Sequence, residues 1–369
     1  MSSVKIVNST IYLFLLGGLF LLPGCDSKTK APQNSQGTAK PAKTKPKVKT
    51  KKVVKNTPEK TQELVVYSGR SAGLVEPLLK KFERETGIKV KTRFDKSTQA
   101  LANRIASEGQ QGEADVFFAQ DSGYLGALAN AGHLQPLSVK TLNKVPKQFR
   151  DATGKWVATS GRARVLVYSP DRVKPAELPK TLDELADDRW KGRLGWAPSN
   201  SSYQAHVSAL RSLWGEEKAR DWLTRMAALA PKVYPKNSPQ VKAVSNGEID
   251  VGWVNHYYLH KIKAANPDLK AANYSFSTAG DAGNLLMLSG VAVTTYAKNA
   301  AAADTLVSYL LSESAQTYFA QKVYEYPVVD GIKTHPDVPP MQGGWAVVKQ
   351  SALADVAGTV KMLRSLKLQ

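Results

Sequence analysis

Cysteine is nearly missing from this chain: its 369 residues include one, Cys25. A single thiol forms no internal disulfide, and no Cys-x-x-Cys pair is available for zinc or redox chemistry. Histidine is scarce as well, five in all, and no His-Glu-x-x-His motif occurs. Gly-x-Ser-x-Gly, the P-loop and Gly-x-Gly-x-x-Gly are likewise absent. No credible catalytic set remains, and the chain reads as a non-enzyme. Acid is short relative to base, 31 Asp and Glu against 51 Lys and Arg, for a formal charge of +20. Long apolar runs are few. One of them, Ile11–Leu22, follows Lys5 and spans about a dozen residues, too short for an ordinary membrane-spanning helix.

What that run does have is an ending. Leu22-Pro23-Gly24-Cys25 closes a short apolar segment on small residues, the pattern of a secretory signal. Cysteine directly after it resembles a bacterial lipobox. Residues 1–25 are therefore read as a lipoprotein signal, with Cys25 as the lipidation site and a lipid anchor holding the chain to the membrane.

The basic excess is localised. From Lys28 to Lys60 the chain carries eleven lysines and one acid, Glu59. No aromatics interleave with them, so the tract is read as a solvated spacer and not as a nucleic-acid arm. Residues 26–62 are mostly Lys, Pro, Thr, Ala, Ser and Gln, a composition that buries too little apolar surface to fold. The expectation is a disordered tether with a reach on the order of 30–35 Å.

Order is expected from residue 63. Leu64–Tyr67 is a short apolar run, hence a buried strand. Helical spacing follows in Leu74, Val75, Leu78, Leu79 and Phe82, and Gly87 stops it. Ile88–Phe94 alternates as a strand. A helix, the buried run Ala114–Ala119 and another helix complete a β-α-β-α-β-α series, which implies a parallel sheet covered by helices. Such sheets bind ligands beyond the carboxyl ends of their strands, here at Ser68–Ser71, Asp95–Thr98 and Ala119–Ser122. Lys155–Tyr168 reads as a long strand pair broken at Ser160-Gly161, after which a second α/β series begins. The fold class expected is α/β with two lobes, each a mostly parallel sheet with flanking helices, joined by crossing strands. Residues 63–160 and 288–330 would form the N-lobe and 161–287 the C-lobe. Residues 331–369 would form a helical segment on the C-lobe.

Seven stretches in this order carry a resemblance: LVVYSGR at 64–70, FERETGIKV at 82–90, ADVFFAQD at 114–121, SGRAR at 160–164, WKGRLGW at 190–196, NGE at 246–248 and NHYY at 255–258. Together they resemble the ferric-iron-binding periplasmic proteins of bacterial ABC importers, over residues 63 to about 330. The resemblance implies a periplasmic-binding-protein fold of type II, closure of the lobes on Fe³⁺, an ABC permease and its ATPase as partners, and a periplasmic location. It also implies a monomer that does not bind nucleic acid. Tyr257 and Tyr258 become the paired metal ligands and Tyr203 a third. A synergistic anion, carbonate or phosphate, would sit among Asn200, Ser201, Ser202, Asn237, Asn255 and Arg162. The sequence departs from the family pattern in the N-lobe. Ser71 and Ala72 stand where branches of the family carry histidine and tyrosine. Gln120 occupies the position of a glutamate ligand, with Asp121 beside it as a possible substitute.

The chemistry agrees with the tyrosines. Fe³⁺ is hard and prefers anionic oxygen, and a phenol supplies it once the metal displaces a proton. Neighbouring side chains on a regular strand point to opposite faces, so the tyrosine pair needs an irregular strand end or a helix start to converge. His256 and His260 share a helix face but are read as packing residues. Two other readings stay open. One is the same fold carrying a small oxyanion, phosphonate, polyamine or other organic solute. The other is a surface-binding structural lipoprotein that acts through its lysine tract.

Overall fold

The computed structural model describes residues 63–369 apart from Lys96, Met341, Gln342, Val347 and Lys349. The expected signal segment, Cys25 and the lysine tract lie outside the described residues. Among the described residues no helix is long and apolar enough to cross a membrane.

The N-lobe opens with β1 (Glu63–Ser68), α1 (Ala72–Thr86), β2 (Lys89–Phe94), α2 (Thr98–Glu108), β3 (Val116–Ala119), α3 (Ser122–Asn130) and the single turn α4 (Val139–Leu142). The strand β4 (Val157–Tyr168) then crosses to the C-lobe. There follow β5 (Leu194–Trp196), α5 (Ser201–Trp214), α6 (Glu216–Ala228), β6 (Lys232–Val233), α7 (Asn237–Ser245), β7 (Val251–Asn255), α8 (Tyr257–Ala265) and β8 (Ala272–Tyr274). Return is by β9 (Leu286–Val293), with α9 (Ala300–Leu310), α10 (Glu313–Val323) and finally α11 (Val356–Ser365).

Local sequence accounts for the elements. In α1 the apolar positions Leu74, Val75, Leu78, Leu79 and Phe82 are all buried, as their 3.6-residue period requires. Gly87 ends the helix at φ +73°, a left-handed conformation that glycine adopts without strain. β1 and β3 are buried runs in the middle of the N-lobe sheet, whereas β2 at its edge is not buried at any position.

Strand order is β2-β1-β3-β9-β4-β7-β5-β6, with β8 also on β4. Pairing is parallel within each lobe, between β1 and β2, β1 and β3, β5 and β6, and β5 and β7. It is antiparallel wherever β4 or β9 takes part. The first half of β4 pairs with β9 and its second half with β7 and β8, so one strand belongs to both sheets.

This corrects the expected strand pair. Ser160 and Gly161 do not break Lys155–Tyr168. They lie within one twelve-residue strand whose register shifts between Ala158 and Ser160. Gly161 is there for close approach: it exchanges both backbone hydrogen bonds with Tyr326, at 2.7 and 2.8 Å. A Cβ on it would stand 2.7 Å from Leu286 Cδ1.

Each lobe has its own core. Phe82, Val116, Phe118 and Leu306 centre one, and Trp190, Trp222 and Trp253 the other. The C-terminal segment differs from expectation by touching both lobes. Val356 and Val360 pack with Tyr67, Phe117 and Leu125 of the N-lobe, while Met362 and Leu363 join the C-lobe core.

Candidate functional site

A cleft of about 630 Å³ opens between the lobes. From the N-lobe it is lined by Arg70 and Ser71 after β1, Asp95 and Ser97 after β2, and Gln120 and Tyr124 around the start of α3. From the C-lobe come Asn200 and Ser201, Ser238, and the pair Tyr257 and Tyr258. The N-lobe residues sit where the rule of strand carboxyl ends places them.

The tyrosines converge because β7 stops at Asn255 and the chain turns helical at His256, φ −54° and ψ −41°. Two rings that would alternate on a strand instead stack, with centroids 4.2 Å apart and planes at 30°. Tyr257 is buried and packs into the N-lobe core, although its backbone belongs to the C-lobe. Burial pushes its phenol well above the ordinary value, and proximity to Tyr258 adds to this. Arg70 and Arg162 pull the other way.

Charge behind the cleft wall is unusual. Arg70, Arg162 and Arg164 are all at least 99 % buried. Arg70 donates to Glu325 at 2.7 Å and to Ser289 at 2.7 Å, and Ser160 donates to the other Glu325 oxygen at 2.5 Å. Burial works against the Arg70 charge, but Glu325 together with Tyr257 and Tyr258 outweighs it and the guanidinium is held more firmly protonated. Arg164 has no acid partner among the described residues; it donates to Asn237, Asn255 and the Trp253 carbonyl, and burial brings it down to about 9. Asp121 is fully buried, and among the described residues neither oxygen has a well-aligned donor. Burial raises its carboxyl to about 6, although Arg162 and the Ser201 hydroxyl lower it in part. Three buried cations thus face two buried carboxylates, Glu325 and Asp121. Arg162 Nε and Nη2, with Arg70 Nε and Arg164 Nε, have no hydrogen-bond partner among the described residues. Buried donors and an excess cation of this kind call for an anion.

The expected anion residues fall into two groups. Asn200 and Ser201 line the cleft, and the Asn200 side chain accepts from the Ser202 N–H to cap α5. Ser202, Asn237 and Asn255 are buried beneath it. The Ser202 hydroxyl accepts from Gln120 at 2.6 Å, Arg162 at 3.2 Å and Asn255 at 3.3 Å. Gln120 therefore ties the N-lobe to the start of α5, as does Tyr124, which donates to Gln204 at 3.1 Å. Asp121 lies behind the wall. Tyr203 is not on it either: its ring sits edge-on to Trp196 and Trp253, 5.9 and 5.2 Å away, with its hydroxyl buried and without a hydrogen-bond partner among the described residues. The physical reason is helical phase, because α5 turns Ser201 to the cleft and Tyr203 into the C-lobe core.

His256 accepts the Ala163 N–H at Nδ1 and donates from Nε2 to the Tyr324 carbonyl, 3.0 and 2.7 Å. Burial lowers it to about 3, and His260 adds to the shift. It is a neutral strut. Sequence reasoning missed Glu325, for which no motif exists. It put Asp95, the one carboxylate among the cleft-lining residues, at a ligand-facing strand end but gave it no role.

A family profile described as bacterial extracellular solute-binding protein matches residues 112–349. Iron uptake protein A1 of Synechocystis is 35 % identical over 293 residues, 77 % of this chain and 81 % of that protein. Iron-bound HitA from Pseudomonas aeruginosa superposes with a TM-score of 0.79 at 32 % identity, covering 83 % of this chain and 99 % of that one. The Trichodesmium protein in complex with iron and citrate ligands gives 0.72 at 29 % identity, covering 83 % and 100 %.

Proposed function

We propose that this chain, which belongs to the bacterial extracellular solute-binding proteins, captures ferric iron between its lobes and is a binding protein, not an enzyme. The observation that carries the reading is the stacked pair Tyr257 and Tyr258 set against buried Arg70 and Arg162. Phenols alone are poor anions near neutral pH. Once the metal displaces their protons they become anions, which the excess of buried positive charge beside them favours. Fe³⁺ then takes two hard, charged oxygens. Relatives named for ferric iron support the same cargo.

A companion anion fits the remaining donors. Asn200 and Ser201 offer the open start of α5, where N–H groups favour an oxyanion, and Arg162 has two unused nitrogens below. Carbonate, phosphate or a small carboxylate suits this position. Asp95 faces the cleft from the N-lobe, and Gln120 is engaged with Ser202. Tyr203 has a packing role in this reading. Delivery would be to an ABC permease and its ATPase, from the periplasmic side, with Cys25 lipidated and the lysine tract as tether.

Protein purified without chelators should contain iron and show a phenolate-to-iron absorption band in the visible. Tyr257→Phe with Tyr258→Phe should abolish the band. Colour that survives the double substitution overturns the ligand assignment, and calorimetry against small oxyanions then becomes the guide to the cargo.

A further inference from the structure

The lysine tract leads into the N-lobe at Glu63, where β1 begins. Register pairs Val66 with Val116 and Val116 with Val293, so β1 and β3 begin, and β9 finishes, at one end of the sheet. The cleft lies at the other end, past the last residues of β1, β2 and β3. Leu134 bridges to Thr294, just beyond β9. The segment that carries α4 therefore sets out from the end of the lobe away from the cleft.

That segment is cationic on its outer side. KTLNKVPKQFR, residues 140–150, holds four cations and no acid. Leu142, Val145 and Phe149 pack on the N-lobe core, which leaves Lys140 and Lys147 exposed and Lys144 and Arg150 half-buried. Lys144 donates to the Ser308 carbonyl at 2.9 Å. Arg150 donates to the Leu142 carbonyl at 2.7 Å and to Asn143 Oδ1 at 3.4 Å. All three acceptors are neutral, and among the described residues none of the four cations enters an ion pair. Asp304 attracts Lys144, but burial and the neighbouring Lys140 outweigh it and lower the ammonium. Asp151, the next acid along the chain, accepts the N–H groups of Thr153 and Lys155. Beside Lys140 stands Val139, 72 % exposed. Basic side chains around an exposed apolar one suit a surface that is anionic outside and apolar beneath.

We propose that this face of the N-lobe, Val139 with Lys140, Lys144, Lys147 and Arg150, docks on anionic phospholipid and seats the protein with its cleft turned away from the membrane. What the cleft carries does not enter the argument. An anchor at Cys25 keeps this end of the lobe within a tether's length of lipid, so each contact can be weak and still hold. Seated in this way, the cleft is open to solute arriving from solution. The face must lift off before the cleft can meet a partner embedded in the same membrane.

The test places the full-length protein on vesicles of phosphatidylcholine, with and without phosphatidylglycerol, and footprints its lysines by brief acetylation. Phosphatidylglycerol should slow acetylation of Lys140 and Lys147 and leave the exposed C-lobe lysines Lys191 and Lys270 as they were. Molar salt should remove the protection. Lys140→Gln should weaken docking about fivefold, the worth of one cation near an anionic surface, and so restore acetylation of Lys147. Lys140→Arg should keep Lys147 protected, which separates charge from folding. Equal acetylation of Lys140 and Lys147 on both kinds of vesicle overturns the proposal. So does equal slowing of all four lysines, the mark of a chain held by its tether alone. Protection of Lys147 by soluble polyglutamate as strong as that by phosphatidylglycerol would make the partner an acidic chain and overturn the lipid surface.

Discussion

Glu325 holds Arg70 at 2.7 Å with both side chains out of reach of solvent, and the same carboxylate raises the phenol of Tyr257 while Arg70 lowers it. The pair therefore sets how much positive charge the phenols feel. Glu325→Gln keeps the shape and removes the negative member. Breaking a buried pair from one side costs about 3–5 kcal/mol, so the unfolding midpoint in urea should drop clearly. The freed guanidinium should also favour phenolate, so the iron band should appear at lower pH than in the parent protein. A variant that loses stability and moves the band to higher pH would contradict this account of the site.

Iron uptake must release the phenol protons. With both tyrosines ligating, about two protons should leave per iron bound, because ligands bind metal deprotonated. A weakly buffered titration with an indicator dye, corrected for the chelate alone, counts them. Tyr258→Phe should lower the count by about one.

Two buried groups pull stability in opposite directions with pH. Asp121 titrates at about 6 in the fold against 3.8 free, so its contribution is greatest below 3.8 and is lost as pH rises through 6. His256 titrates at about 3 against 6.5, so its contribution is present above 6.5 and is lost as pH falls toward 3. Between pH 4 and 6 the slopes cancel, each being about 1.4 kcal/mol per pH unit. Relative to the parent, His256→Gln should become less stable as pH rises across this window, and Asp121→Asn more stable. Urea unfolding at pH 4, 5 and 6 reads both signs.

Tyr203→Phe discriminates packing from ligation. Its hydroxyl is buried without a partner among the described residues, a state that costs about 1–3 kcal/mol. The substitution should raise the thermal midpoint and leave the iron band at full intensity. Loss of the band would return Tyr203 to the ligand set.

The lobes were legible because apolar periodicity survives in single elements. Leu64–Tyr67 and Ala114–Ala119 read as buried strands and α1 read as amphipathic, and all three formed close to the expected bounds. Ser160-Gly161 misled because polar and small residues normally punctuate strands, whereas here they admit the backbone at Tyr326 and the carboxylate of Glu325. Tyr257 and Tyr258 were legible as a pair, and the helix start that brings them together was the condition their adjacency demanded. Tyr203 was not separable from them by residue type; only the rotation of α5 assigns it to the tryptophans. The counter-charges Arg70 and Glu325 meet from positions 255 residues apart, a proximity that no local pattern encodes.

The last helix, α11, has one consequence for how the molecule can move. With Val356 and Val360 seated in one lobe and Met362 and Leu363 in the other, the rear of the protein is stapled across its seam. A rigid separation of the two halves would have to pull one of these pairs out of its core and expose apolar surface to water.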